Sequence, residues 1–508
     1  MAGHERLDLV RGRQPHLGQL MERLAVLYGD RVAVTEDGWP DGDARRLTFR
    51  QAAELVSRGA GAIRSRVDPG QRVLVTAPNG YELFLLVHAA VRAGCVAVPV
   101  NPKARPDEIE HMRDDSGAAL EVSSLDELVA DAPADGASTR AAPATADDVA
   151  VLFYTSGTTG RPKGAQLTHR ALMAPASAAA LVPGIVPRPE VVSGLPVAHI
   201  AGFSMLVSTG AGGLPIYLLR RFRPDTALDA IESRRPFMFI GVPAMYRMMW
   251  EAGAPERDLR SVRVWASGAD AMPFELAQSF QKLGSLVRLP GGRGLGRAAF
   301  LDGYGMVEVG GGVALKLLPP GPPLPVKGLL GAPMPRYSLK VVDDAGEPVG
   351  RGQVGELMVK GPGVMRGYHG QAAATDETVT PDGWVRTGDL ARAHRLGLIE
   401  FAGRKKDVVK HGGYSVFPPE VEAVIEQHPA VTECAVVGLT DERKGQVPAA
   451  VVVLRPDSGS APSEEEIIGW ARERLADYKV PTRVVFAPGL PRTGTDKVQK
   501  AELPALFA

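Results

Sequence analysis

Short runs of β-branched and aliphatic residues alternate along this chain with longer segments whose apolar positions recur at helical spacing. Residues 72–77, 96–100, 150–154, 237–240 and 262–266 read as strands, and 81–93 and 224–233 as helices. That alternation predicts parallel α/β layers. After Lys340 the pattern becomes β-rich, with turn signals at Asp343-Asp344-Ala345-Gly346 and Pro381-Asp382-Gly383, which predicts a small barrel-like subdomain. From Gly403 a compact α+β unit follows: a helix at 419–427, strands at 433–438 and 449–454, and a helix at 463–475. Ser463 and Glu466 have the spacing of a capping box at the start of that last helix.

Two stretches break the pattern. Residues 126–148 are rich in Ala, Asp, Ser, Thr and Pro without periodicity and read as a flexible surface connection. Residues 191–219 carry no Asp, Glu, Lys or Arg, which raises the question of a membrane span. Their five glycines and two prolines favour short buried strands and turns, since so interrupted a backbone leaves polar groups unpaired in lipid. The expected fold is α/β. A large N-terminal domain of layered sheets with a small β-barrel subdomain spans 1–402, and a small mobile α+β domain spans 403–508.

A chain of 508 residues is too long for one ordinary core, so two or more domains are expected. Lys plus Arg equals Asp plus Glu at 58 each, which leaves no basic field for nucleic acid and points to a small-molecule enzyme or a protein partner. Cys95 and Cys434 are far apart and lack metal-type spacing, so neither a disulfide framework nor a zinc site is suggested. Residues 1–18 are charged and lack the apolar core of a signal peptide. A cytoplasmic protein without a transmembrane segment is expected.

Candidate chemistry begins at Thr155-Ser156-Gly157-Thr158-Thr159-Gly160-Arg161-Pro162-Lys163-Gly164, directly after an apolar run. Glycines let backbone N–H groups approach an anion, hydroxyls add donors, and Lys163 supplies a point charge. Read alone, the stretch is also consistent with a surface turn. It is not a Walker loop, because Pro162 or Ala165 stands where the second glycine belongs. Further on, Asp302-Gly303-Tyr304-Gly305-Met306-Val307-Glu308 sets a ring between glycines and ends in a carboxylate. Arg386-Thr387-Gly388-Asp389 puts an Asp after a tight turn, and Gly403-Arg404-Lys405-Lys406-Asp407 is a basic cluster. Leu490-Pro491-Arg492-Thr493-Gly494-Thr495-Asp496-Lys497 sets one lysine on a Gly/Thr loop. Taken singly, each is also consistent with a structural role: a buried Tyr, a turn Asp, a solvated charged face, a surface Lys.

In this order the motifs resemble the adenylate-forming enzymes, the superfamily of acyl-CoA synthetases, peptide-synthetase adenylation domains and luciferases. The likeness is greatest to a fatty-acyl-CoA ligase. Leu47-Thr48-Phe49, 79–101, Leu195-Pro196-Val197-Ala198-His199-Ile200-Ala201-Gly202 and Ser267-Gly268-Ala269 extend the resemblance over nearly the whole chain. It implies ATP, Mg²⁺ and coenzyme A as reactants, and a carboxylic acid activated as an acyl adenylate before a thiol takes the acyl group. Thr155, Ser156, Gly157, Thr158, Thr159 and Lys163 would hold ATP's phosphates. Gly268, Ala269, Asp302, Gly303 and Tyr304 would bind the nucleotide, with Tyr304 against the adenine and Asp302 at its amino group, Asp389 at the ribose, and Arg404 at the ribose or a phosphate. Glu308 would take the magnesium, and Lys497 would be the adenylation lysine, bridging two anions whose repulsion it offsets.

The resemblance further implies a hinge at Lys406 and a thiol entry at Gly412-Gly413-Tyr414. Its acyl pocket is lined by His199, Ile200, Gly202, Phe203, Ala266, Gly268, Gly303 and Gly305, with His199 closing the carboxylate end, although Phe203 also suits a core position. These segments offer no cation for a dicarboxylate, so a medium or long fatty acid or an aryl acid is expected. Two departures stand out. Val307 replaces a customary Thr that donates to the α-phosphate, and Asp496 replaces a customary Gly. They leave room for a weakened nucleotide-binding paralogue beside the ligase, and a carrier-protein thiol is an alternative to coenzyme A. The protein is expected as a monomer or homodimer. The basic stretch Arg288–Arg297 runs into Gly294-x-Gly296-x-x-Ala299, but no helix has room after it before Gly303, which argues against a dinucleotide fold.

Overall fold

In the computed structural model, residues 8, 11, 16–38, 43–101, 103–130, 140–155, 161–179, 190–288, 294–320, 328–394, 398–455, 461–492 and 498–507 are described. They form two compact units, one of Met1–Ser338 with Val359–Val385, the other of Leu339–Met358 with Arg386–Ala508.

Among the described residues of the first unit are two large sheets. A nine-stranded sheet runs in the order Ala332–Pro333, Gly311–Leu318, Ala299–Met306, Val264–Gly268, Met238–Gly241, Val191–Ser193, Ile216–Leu219, Val32–Asp37 and Arg45–Thr48. A five-stranded sheet runs Leu120–Val122, Arg72–Val75, Val96–Pro99, Val149–Thr155 and Lys163–Thr168. The centres of both sheets are parallel, as the alternating pattern predicts. Each then turns back on itself. Val149–Thr155 pairs antiparallel with Lys163–Thr168, and Ala299–Met306 antiparallel with Gly311–Leu318. Both reversals carry candidate site residues.

Local rules explain the helices. Helix Phe49–Arg64 starts at a full capping box, with Thr48 accepting from Gln51 N and Gln51 accepting from Thr48 N, so Thr48 has a structural role. Helix Tyr81–Arg92 is buried almost all round, and its N-terminus is tied down by Glu36, which accepts from Tyr81 N at 2.6 Å.

Two expectations need correction. Residues 191–219 are not only strands and turns, because helix Ile200–Ala211 lies between the strands Val191–Ser193 and Ile216–Leu219. His199 caps it, with Nδ1 accepting from Ala201 N at 3.3 Å, and a Cβ at Gly202 would overlap the Pro196 carbonyl. The interior glycine therefore reflects close packing and not a chain break. Among the described residues no helix is long and apolar enough to cross a membrane. The described parts of the 126–148 connection, 126–130 and 140–148, are also more structured than its composition suggests. Helix Leu125–Ala130 buries Leu128 and Val129, and the Ala142 carbonyl meets His16 Nε2 at 2.9 Å.

The second unit carries a four-stranded sheet in the order Ser338–Val342, Val354–Lys360, Val385–Ala393, Ile399–Arg404. A five-stranded sheet comes next, built on the long antiparallel pair Val431–Asp441 and Gly445–Leu454 and covered by helices Pro418–Ile425 and Glu464–Arg472. The four-stranded sheet ends at Arg404, and Gly403 lies against Pro419 of helix Pro418–Ile425, so this sheet coheres with the C-terminal sheet and its helices. The last helix ends at Arg472, three residues short of expectation. Its capping box is present, with Glu466 N donating to Ser463 Oγ at 3.2 Å and Ser463 N to Glu466 Oε2 at 2.6 Å. Ser463→Ala should lower the stability of this unit by about 1 kcal/mol, read as a lower urea midpoint at unchanged slope.

Candidate active site

The proposed phosphate loop is closed by a β-hairpin. Thr155 and Lys163 face each other as the last register pair of Val149–Thr155 and Lys163–Thr168. Ser156, Gly157, Thr158, Thr159 and Gly160 lie outside the described residues. The hairpin is braced from below: Tyr154 donates to Asp115 Oδ2 at 2.7 Å, and Gly164 lacks a Cβ where the Tyr154 ring passes at 3.1 Å. His111 Nε2 meets the Pro162 carbonyl at 2.9 Å. Along the outer edge of the hairpin runs 365–369. Gln166 N donates to Gly367 O and His369 N to Gly164 O, while Met365 N reaches Glu308 O at 2.9 Å. This segment joins the loop to Glu308.

Tyr368 completes that link, and the motif reading missed it. Its hydroxyl donates to Glu308 Oε1 at 2.8 Å, and the Lys163 ammonium lies 5.2 Å from its ring centroid. Burial, reinforced by the Glu308 charge, raises the Tyr368 pKa, which keeps the phenol a donor. A signal was available, since Gly367-Tyr368-His369-Gly370 sets a ring among glycines much as Gly303-Tyr304-Gly305 does.

The strand Ala299–Met306 presents the second set of residues. Its parallel register with Val264–Gly268 puts Ser267 beside Asp302 and Gly268 beside Gly303. Ala269 follows in the left-handed region at φ 70°, a strained conformation for a residue with a Cβ. Asp302 already has a partner: directly across the antiparallel register, Lys316 Nζ lies 2.8 Å from Asp302 Oδ2, with both side chains about 15% exposed. Burial raises the Asp302 pKa, and Lys316 opposes the shift. Only strand register reveals Lys316; no sequence signal marks it.

Three pocket residues differ in kind. A Cβ at Gly305 would overlap the Gly311 carbonyl oxygen, so glycine there is a packing requirement. At Gly303 a Cβ would find nothing closer than Ser267 O at 3.6 Å and Leu315 Cδ1 at 4.0 Å, so packing does not require glycine. Phe203 needs correction as a pocket-lining residue. It has no accessible surface and sits in an aromatic cluster with Phe84, Phe153 and His88, because its helix turns that face into the core. His199 is held by its capping role, and Asn79, at the start of the 79–101 stretch, pins its loop by accepting from Val197 N and donating to Arg220 O, both at 2.8 Å. Val307 is 9% exposed and belongs to the apolar core.

In the second unit Asp389 and Arg404 are cross-strand partners, with Arg404 Nε 3.1 Å from Asp389 Oδ1. Two residues expected at one ribose are thereby brought together. Lys406 is exposed in the short turn Lys405–Asp407, where Lys405 bonds Asp344 at 3.1 Å and lies 3.4 Å from Glu356. Gly412 and Gly413 form a two-residue hairpin turn with φ of 58° and 86°, both values that glycine adopts without strain. Tyr414 stacks on Tyr478 at 4.5 Å. Lys497 and Asp496 lie outside the described residues.

Glu308 fits magnesium. Among the described residues no cluster of three or more His, Cys, Asp or Glu side chains could hold a metal, but magnesium bound with a nucleotide needs only one or two carboxylates beside phosphates and water.

The AMP-binding enzyme family model matches residues 21–369, and the AMP-binding enzyme C-terminal domain matches 420–497. The chain belongs to the AMP-binding enzymes. A feruloyl-CoA synthase of Amycolatopsis sp is 35% identical over 97% of this chain and 100% of its own. The o-succinylbenzoate CoA synthetase of Bacillus subtilis, solved with the acyl-adenylate intermediate OSB-AMP, is 28% identical with a TM-score of 0.81, covering 96% of this chain and 97% of that one. An anthranilate CoA ligase solved with anthranoyl-AMP is 25% identical at TM-score 0.83, covering 97% of both chains. This AMP-binding enzyme is an AMP-forming acid–thiol ligase that uses ATP, magnesium and coenzyme A.

The Asp302–Lys316 pair makes stability depend on pH. A carboxyl with a raised folded pKa contributes its full stability below the unfolded value and loses it as pH rises through the folded value. Lys316 limits that loss by favouring the charged form. Lys316→Met should therefore destabilise the protein by about 3–5 kcal/mol near neutral pH, as for a broken buried pair. The deficit should shrink as pH falls through the raised Asp302 pKa, because the protonated carboxyl no longer needs Lys316. Urea unfolding across a pH series measures it; a deficit independent of pH would refute the pairing account.

Proposed function

We propose that this ligase activates an aromatic carboxylic acid and passes the acyl group to coenzyme A. The supporting observation is Gly303. Packing leaves space for a side chain there, yet the strand presents bare backbone beside Gly268, and a flat ring can lie against such a surface. The feruloyl-CoA synthase, the o-succinylbenzoate CoA synthetase and the anthranilate CoA ligase favour an aromatic over a fatty acid.

In this reading Lys163 takes a phosphate of ATP and Glu308 holds the magnesium, which supplies positive charge to the phosphates. Tyr304, with Gly268 and Ala269, receives the adenine, and the Asp389–Arg404 pair receives the ribose. His199, fixed as a helix cap, closes the carboxylate end of the acyl pocket. Lys497 offsets the charge that gathers as the carboxylate attacks the α-phosphate. Rotation about Lys406 then brings Gly412-Gly413-Tyr414 to the thiol. Val307 lies in the apolar core, so the hydroxyl usual at that position is replaced by packing. That favours reduced ATP affinity over loss of the reaction.

An acid panel tests the substrate. Thioester formation with coenzyme A should be at least about tenfold more efficient, in kcat/KM, for hydroxycinnamates or benzoates than for fatty acids of matched length, a difference of one hydrophobic contact or more. Equal or better use of fatty acids would overturn the aryl assignment. Lys497→Ala should abolish adenylation while thioester formation from supplied acyl adenylate persists; equal loss of both halves would contradict the assigned role.

A further inference from the structure

Lys163 and Glu308 carry opposite charges and flank one ring, yet among the described residues no ion pair joins them. Opposite charges in a partly buried cleft attract strongly, and left alone they would close on each other. A closed pair must then be broken before phosphate reaches the ammonium and metal reaches the carboxylate. Tyr368 satisfies both groups separately. The ring takes the ammonium electrostatically and uses none of its three N–H donors. The hydroxyl occupies Glu308 Oε1 and leaves the second carboxylate oxygen to a ligand.

The ring is itself held by backbone. Tyr368 bridges Ala165, its N–H donates to Thr375 Oγ1 at 2.9 Å, and His369 N and Met365 N on either side bond Gly164 and Glu308. These bonds fix the backbone from which the Tyr368 ring projects between Lys163 and Glu308.

We propose that Tyr368 is a positioning residue that holds the phosphate-loop lysine and the metal-binding carboxylate apart, so that the magnesium nucleotide meets two uncollapsed charges. This rests on the nucleotide reading of the site. Tyr368→Phe keeps the ring and removes the hydroxyl, which frees Glu308 to swing to Lys163.

Calorimetric titration of the full-length protein tests it. The Kd of Tyr368→Phe for magnesium-ATP should rise by about tenfold, the loss of one hydrogen bond to a charged group, while metal-free AMP binding stays within about twofold. The magnesium concentration needed for half-saturation should rise with it. Tyr368→Leu, which also loses the ring face, should in addition weaken metal-free ATP. Unchanged magnesium-ATP binding in Tyr368→Phe, or equal weakening of AMP, would overturn the proposal. Absence of magnesium-ATP binding by the wild-type protein would instead overturn the nucleotide reading itself, so the two failures are distinguishable.

Discussion

The close approach of Gly305 to Gly311 is the constraint on which the first unit's site depends. There the strand Ala299–Met306 meets its antiparallel partner so tightly that no Cβ fits, and the register shifts between Tyr304 and Gly305. The strand continues for Gly305 and Met306 after the shift, and the short helix Val307–Val309 then carries Glu308 to Tyr368. Before the shift, regular register aligns Asp302 with Lys316 and Gly303 with Leu315. This close contact lies between the candidate adenine segment with Gly303 on one side and the Glu308 carboxylate on the other. The five-stranded sheet also reverses direction at its edge, where the pair Thr155–Lys163 bounds the proposed phosphate loop.

Sheet reversal also explains how charge is arranged. Asp302 with Lys316 and Asp389 with Arg404 are both direct cross-strand pairs, so register brings a buried or half-buried charge to its partner. Lys163 and Glu308 are the exception, charges near each other that meet an aromatic ring instead. In both pairs each charge already meets an opposite one, whereas Lys163 and Glu308 do not pair with each other. That contrast is what singles out Tyr368.

Much of this was legible in the chain. The parallel strands at 72–75, 96–99 and 238–241 stand where β-branched runs predict them, because local apolar patterning and burial agree there. The ordered motifs identified the family and brought Asp389 to Arg404 in expectation. What was not legible depends on long-range packing. Helix Ile200–Ala211 was obscured by Gly202, which sequence reads as a break but the fold uses for contact with Pro196. Phe203 resembled a pocket residue, and only burial among Phe84, Phe153 and His88 assigns it to the core. Lys316 was invisible because its partner lies on the other strand, whereas Tyr368 had a glycine-flanked signature that invited notice.

The central claim is that these residues together activate a carboxylic acid on ATP. Exchange of labelled pyrophosphate into ATP, without coenzyme A, measures that step alone. The account predicts exchange that depends on added acid and is strongest with aryl acids. No exchange across a broad acid panel, with ATP binding intact, would contradict it.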